Sequence, residues 1–268
     1  MEFRTIVDIP DPGFRIGPCE EILFVGSCFV DAIGRRFQEE KFRAVVNPYG
    51  VMYNPASILH TIERLPQGRP GYAFLTLGTN HVYRLKETGE IVDNCQKRPQ
   101  SLFVEEELSV DECAGYLSKC AERLRQMNPE VHIVLTVSPI RYRKYGYHGS
   151  QLSKATLLLA VEKVTKVPDP FVSYFPAYEI VNDELRDYRF YQEDMLHPSS
   201  QAVEYIWQRL SECYLSDEAH AFIEAWQPLK AALNHRPFKP DSEEYKAFMD
   251  KTMLKVVELQ KKYPTFAL

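Results

Sequence analysis

Two short stretches hold the residue types that acyl chemistry requires. In "EILFVGSCFVDAIGRRF", residues 21–37, Ser27 follows an apolar, strand-like run and precedes a helix-like pattern. At such a junction the hydroxyl lies over the end of the strand and the serine N–H joins the positive end of the helix, a geometry that suits an oxyanion. It suits an N-cap or a phosphate-binding turn as well, and these readings stay open on the residues alone. In "EDMLHPSS", Asp194 and His197 are three apart, just ahead of a helix whose first turn can hold Pro198. That spacing lets the carboxylate accept the Nδ1–H of the imidazole while Nε2 faces outward. A serine hydroxyl is inert at neutral pH until a base takes its proton, and the base needs a carboxylate to fix its tautomer and steady its cation. The plainer reading of the second stretch is a surface or capping histidine paired locally with Asp194.

Other residues near these two compete for roles. Cys28 is a rival nucleophile, since a helix N-terminus lowers a thiol pKa, but packing accounts for it equally. Ser138 and Arg141 in "TVSPIR" follow a strong strand and are expected near the same crevice, where the arginine either binds an anionic substrate group or makes a loop salt bridge. Ser153-Lys154 lacks the S-x-x-K spacing and reads as a helix cap followed by an exposed lysine. Tyr178, Glu179 and "DYRFY" read as pocket wall, core or rim. The six cysteines include no C-x-x-C pair and read as reduced. Cys113 and Cys120, two helical turns apart, read as small buried side chains rather than metal ligands. No metal site and no cofactor are expected.

The elements that must position these residues alternate along the chain. "EILFVG" is a buried-strand pattern, and Phe29, Ile33 and Phe37 form the apolar stripe of the helix after it. "FRAVV" is a second strand ended by Asn47-Pro48, and "NPASILHTIERL" a helix with Asn54 as cap and Pro55 in its first turn. "YAFLTLGTNHVYRLKETGEIVDNCQKRP" alternates apolar and polar residues about "KETGE", which predicts a β-hairpin inserted at about residues 66–108. A helix capped by Ser109, the strand "VHIVLTV", a helix over "SQLSKATLLLAVEKVTKV", the strand "FVSYF" and a helix beyond Pro198 follow. This order predicts an α/β domain over residues 1–215 with a parallel sheet and a ligand crevice beyond the carboxyl ends of its strands. Residues 216–268 are expected to form a helical extension packed on it.

"GSCFVDAIGRRF", "VVNPYGVMYNP", "LGTNHVY", "VLTVSPIR", "LSKATLLLA", "YFPAYEI" and "DYRFYQEDMLHPS" together resemble the GSCFA family, a bacterial branch of the SGNH, or GDSL-type, hydrolases. The resemblance runs from about Ile22 to His197 and into the C-terminal helices. It implies a flavodoxin-like three-layer sandwich in which Ser27 is nucleophile, His197 general base and then acid, and Asp194 the orienting carboxylate. It further implies an oxyanion hole from the Ser27 N–H, Gly50 in "NPYG" and the side chain of Asn80 in "GTN". Asn80 also reads as a turn residue, with Asn94 or Asn47 able to take its place. The chain departs from the superfamily pattern in lacking aspartate before the serine and in carrying His81 after Asn80, and Val30 stands where the family motif has alanine.

With 268 residues and 45% hydrophobic content, the chain can bury a sizeable core. A formal charge of −5 leaves no basic footprint for nucleic acid. No apolar run approaches the roughly 20 residues of a membrane span, and the N-terminus lacks the pattern of a secretion signal. The expectation is a cytoplasmic serine esterase acting on a small-molecule acyl ester, with no nucleic-acid or membrane partner. The alternatives are a non-catalytic ligand-binding protein of the same fold and an acyltransferase.

Overall fold

The computed structural model describes residues 3–66, 68–93, 95, 98–166, 169, 171–266 and 268. Its centre is a five-stranded sheet of β1 (Glu21–Gly26), β2 (Arg43–Val46), β3 (Tyr72–Leu77), β7 (His132–Val137) and β8 (Val172–Tyr174). The strands lie in the order β2-β1-β3-β7-β8, and every pair is parallel. Parallel neighbours need a crossover that returns the chain to the starting edge, and helices supply it.

Successive strand residues face opposite sides, which divides the core in two. Leu23 and Val25 of β1 pack against α2 (Pro55–Arg64), α3 (Val110–Met127) and α4 (Gly146–Thr165). Ile22 and Phe24 pack against α1 (Cys28–Glu39) and α6 (Ser200–Tyr214). The helices begin where capping chemistry permits. Asn54 Oδ1 accepts the Ser57 N–H at 2.9 Å, with Pro55 at the position where a missing N–H costs nothing. Ser109 and Glu112 form a reciprocal capping box on α3.

The insertion differs from the expected hairpin at 66–108. "YAFLTL" is the central strand β3, and the inserted piece is a three-stranded antiparallel sheet of β4 (His81–Leu85), β5 (Ile91–Val92) and β6 (Phe103–Glu107), ordered β5-β4-β6. The reason is burial. Five of the six β3 residues are buried, Thr76 among them, as befits a strand covered on both faces, whereas the alternating, half-exposed pattern starts only at His81.

After α6 come α7 (Asp217–Leu233) and α8 (Glu243–Lys262). They share a third core in which Phe222, Trp226 and Leu229 meet Val256, Leu259, Tyr263 and Phe266. This pair is seated on the far end of α1: Trp226 Nε1 donates to Glu39 O at 2.8 Å, and Lys230 Nζ lies 3.0 Å from the buried carboxylate of Glu40. Among the described residues no helix is long and apolar enough to cross a membrane.

Candidate active site

Ser27 stands at the carboxyl end of β1 and at the N-cap position of α1. Its side chain does not cap the helix. The residue is 0% exposed, and its Oγ has no hydrogen-bond partner among the described residues. The capping reading therefore fails to account for the hydroxyl. Gly26 makes the turn, at φ +147°, and a Cβ there would fall 2.1 Å from Thr76 O. Asn47 secures the same turn from the end of β2. Its Oδ1 accepts the Gly26 N–H at 2.9 Å and its Nδ2 donates to Asp31 Oδ1 at 2.7 Å.

His197 and Asp194 meet as their spacing implies. His197 Nδ1 lies 2.5 Å from Asp194 Oδ2, while Asp194 Oδ1 accepts the N–H groups of Leu196 and His197 at 2.8 and 3.0 Å. The two backbone bonds, then the bond to the ring, lower the Asp194 pKa to about 2. Both side chains are partly exposed.

Arg141 ties this turn to the exit of β7. Its backbone N–H donates to Leu196 O at 3.1 Å and its Nη1 to Met195 O at 3.0 Å. Its guanidinium also packs over the Tyr147 ring at 4.3 Å. Among the described residues Arg141 makes no salt bridge, and its hydrogen bonds brace the histidine turn instead. Ser138 is buried, and its Oγ accepts the Ile140 N–H at 3.2 Å.

The serine and the histidine turn accordingly sit at the carboxyl end of one sheet, after β1 and beside the exit of β7, with β3 between. Two interstrand spacings, about 10 Å, separate those strands. Ser27 Oγ makes no hydrogen bond to His197.

The three donors expected to form an oxyanion hole are all engaged. The Ser27 N–H donates to Thr76 O at 3.1 Å and the Gly50 N–H to Asn47 O at 2.8 Å, while Asn80 Nδ2 donates to Leu108 O at 2.8 Å. Gly50 lies in an exposed turn at φ +92°. Asn80 is 3% exposed, and its amide retains a second hydrogen. Asn94 lies outside the described residues.

Next to the serine in sequence, Cys28 leads to two tyrosines that the motifs did not single out. Cys28 Sγ is 3.7 Å from Tyr53 OH, and the Tyr53 ring stands edge-on to Tyr142. The Tyr142 hydroxyl is buried without a partner and rests on Gly78, where a Cβ would fall 2.2 Å from it. Burial raises the Tyr142 pKa well above the usual phenol range, so it remains protonated. Behind it, Lys154 is buried rather than exposed, and Ser153 lies inside α4 rather than capping it. A cavity of about 690 Å³ lined by Leu158, Glu162, Val172 and Tyr174 includes neither Ser27 nor His197. Among the described residues no group of three or more His, Cys, Asp or Glu side chains is placed to hold a metal ion.

An α/β chain with a serine at its first strand-to-helix turn and a D-x-x-H pair before its sixth helix fits one family. The GSCFA family profile matches residues 21–73 and 68–210, and the profile described as "GSCFA domain protein, C-terminal domain" matches residues 226–268. The chain belongs to the GSCFA family. Similar solved structures include a Streptococcus pneumonia protein described as a candidate platelet activating factor, at 18% identity, TM-score 0.49, covering 74% of this chain and 84% of that one. A family 3 carbohydrate esterase of Talaromyces cellulolyticus aligns at 13% identity, TM-score 0.44, over 76% of this chain and 98% of that one. The family 3 carbohydrate esterase of Clostridium thermocellum aligns at 14% identity, TM-score 0.44, over 75% and 98%. No curated protein matches the chain.

Proposed function

We propose that the protein is a serine esterase that removes a small acyl group, such as acetyl, from a carbohydrate or other small metabolite. The observation that carries this reading is the oriented His197–Asp194 pair, 2.5 Å apart, at the same end of the sheet as a serine hydroxyl that no structural hydrogen bond employs. Ser27 Oγ attacks the ester carbonyl carbon while His197 Nε2 takes its proton, and Asp194 holds Nδ1–H and steadies the imidazolium. The tetrahedral intermediate collapses as the bond from carbon to the leaving oxygen breaks and His197 returns the proton to the alcohol. Water then attacks the acyl-serine carbonyl carbon as His197 Nε2 takes its proton; the bond from carbon to Ser27 Oγ breaks, His197 returns the proton to Oγ, and the acid leaves. No step requires a metal or cofactor. The second hydrogen of Asn80 Nδ2 is the donor assigned to the oxyanion, worth about 3 kcal/mol in the transition state, and the Ser27 N–H joins it only on leaving Thr76 O. A contribution from Gly50 requires the Asn47–Gly50 turn to open. Because Ser27 is buried and makes no hydrogen bond to His197, turnover must include a movement that exposes the hydroxyl and brings the ring to it.

A fluorophosphonate probe tests the nucleophile. Labelling of the folded protein, abolished in Ser27→Ala, is the expected outcome; equal labelling of the two, or none of the wild type, rejects it. The closed state of Ser27 favours one second reading, a protein that binds an acylated ligand without turning it over. That reading predicts thermal stabilisation by ligand with no hydrolysis of p-nitrophenyl acyl esters. An acyltransferase would use the same steps with a second alcohol in place of water.

A further inference from the structure

Lys154 is the only buried lysine among the described residues, at 2% exposure. A buried ammonium ordinarily has a carboxylate beside it, because desolvation disfavours the charge. Lys154 has one hydrogen bond, from Nζ to Gly78 O at 2.6 Å, and no acidic group counters its burial. An apolar side chain of the same length would fill this space without that penalty. Its neighbour Ser153 points the same way: Ser153 Oγ lies 3.0 Å from Thr79 Oγ1 and accepts the Asn80 N–H at 3.0 Å. Two consecutive residues of α4 therefore grip three consecutive residues, Gly78, Thr79 and Asn80, where the chain leaves β3. The other side of this turn is held by Tyr53, whose carbonyl accepts the N–H groups of Gly78 and Thr79, both at 2.8 Å. Tyr142 closes the group, its ring centroid 5.0 Å from Lys154 Nζ and its hydroxyl against Gly78. Burial also lowers the Lys154 pKa to about 7, so the amine is not committed to one protonation state.

We infer that Lys154 and Ser153 are positioning residues that hold the Gly78–Asn80 turn, and with it Tyr53, Tyr142 and the Asn80 amide, in the arrangement that receives an acyl group beside Ser27. The catalytic half of this inference rests on the esterase reading; the structural half does not. The test pairs hydrogen exchange with probe labelling in Lys154→Met, which keeps the length of the side chain and removes the amine. Thermal melting first establishes that the variant is folded. The Gly78, Thr79 and Asn80 amides are expected to exchange at least tenfold faster, with amides of β1 and β7 unchanged. Fluorophosphonate labelling and kcat are expected to fall at least tenfold with KM nearly constant. Unchanged exchange of the three amides overturns the inference, as does unchanged labelling where the wild type labels. A wild type that fails to label, with faster exchange in Lys154→Met, supports the positioning role and removes the esterase reading alone. If Lys154→Met does not fold, Ser153→Ala decides by the same two measures.

Discussion

Asp194 serves His197 with both oxygens, one fixed by backbone N–H groups and the other facing Nδ1. Replacement by asparagine preserves shape but reverses the tautomer the ring prefers, so Asp194→Asn is expected to lower kcat on an acyl ester roughly 10³- to 10⁴-fold and to lower the melting temperature at neutral pH, where the carboxylate is charged. The sign of its acid behaviour follows from the lowered pKa. From an ordinary 3.8 to about 2, the carboxylate contributes stability that is fully present above about pH 4 and lost as pH falls through about 2. Across that window the melting temperature of the wild type is expected to decline more steeply than that of Asp194→Asn. The strand-to-helix junction at Ser27 and the contact between Asp194 and His197 are legible in the sequence because each is a local pattern, the second a pair spaced to meet within one turn. Lys154 is not, since one lysine in a helix looks the same in sequence whether it faces water or the core. Asn47 reads in the sequence as the end of a strand or a stand-in for Asn80, and its bracing of the Ser27 turn is not visible there because its two partners, Gly26 and Asp31, are 21 and 16 residues away.

At the level of elements, β1, α1 and β3 meet at a point with no room to spare. Gly26→Ala forces a Cβ to within 2.1 Å of the Thr76 carbonyl oxygen, a rigid backbone atom, in a backbone conformation that side chains disfavour. The expected result is a loss of stability above about 3 kcal/mol, read by urea unfolding, or failure to accumulate as soluble protein. A variant with wild-type stability would show that the strand exit can relax. The alternation of strands and helices was readable throughout, because buried runs and amphipathic stripes have different periods. The exceptions were the junction at residues 72–81, where a strand buried on both faces runs directly into an alternating one and the two merge into a single pattern, and β6, whose "FVEEE" carries too few apolar residues to mark a strand. Sheet order is absent from local patterns altogether; it follows from crossover geometry and from which faces must be covered.

Over the whole molecule, the C-terminal helices and the α/β body join at one charged knot. Glu40 is 1% exposed and takes Arg36 at 3.3 Å and Lys230 at 3.0 Å, while Gln227 Nε2 donates to it at 2.7 Å. Glu40→Ala leaves Lys230 with Glu39 alone, at 3.1 Å, and takes the acceptor from the Gln227 amide, and a cost of about 1 to 3 kcal/mol in denaturant unfolding is expected. Lys230→Met combined with Glu40→Leu should recover much of it, because apolar packing replaces a desolvated pair at little net cost.

The contact between Asn80 and Leu108 has a consequence beyond the site. Each residue binds the other, the Leu108 N–H donating to Asn80 O at 2.9 Å and Asn80 Nδ2 donating to Leu108 O at 2.8 Å. The chain thus leaves β3 and enters α3 through a buttoned collar, and the sheet beyond the collar is pinned again to the body by His60 and Arg64 on Asp93 and by Lys144 on Glu105. Lengthening a loop of that sheet changes the closure entropy only as the logarithm of its length. The loop tip about residues 86–90 can therefore vary in length at little cost, whereas any change that removes Val82 or Asp93 reaches into the body.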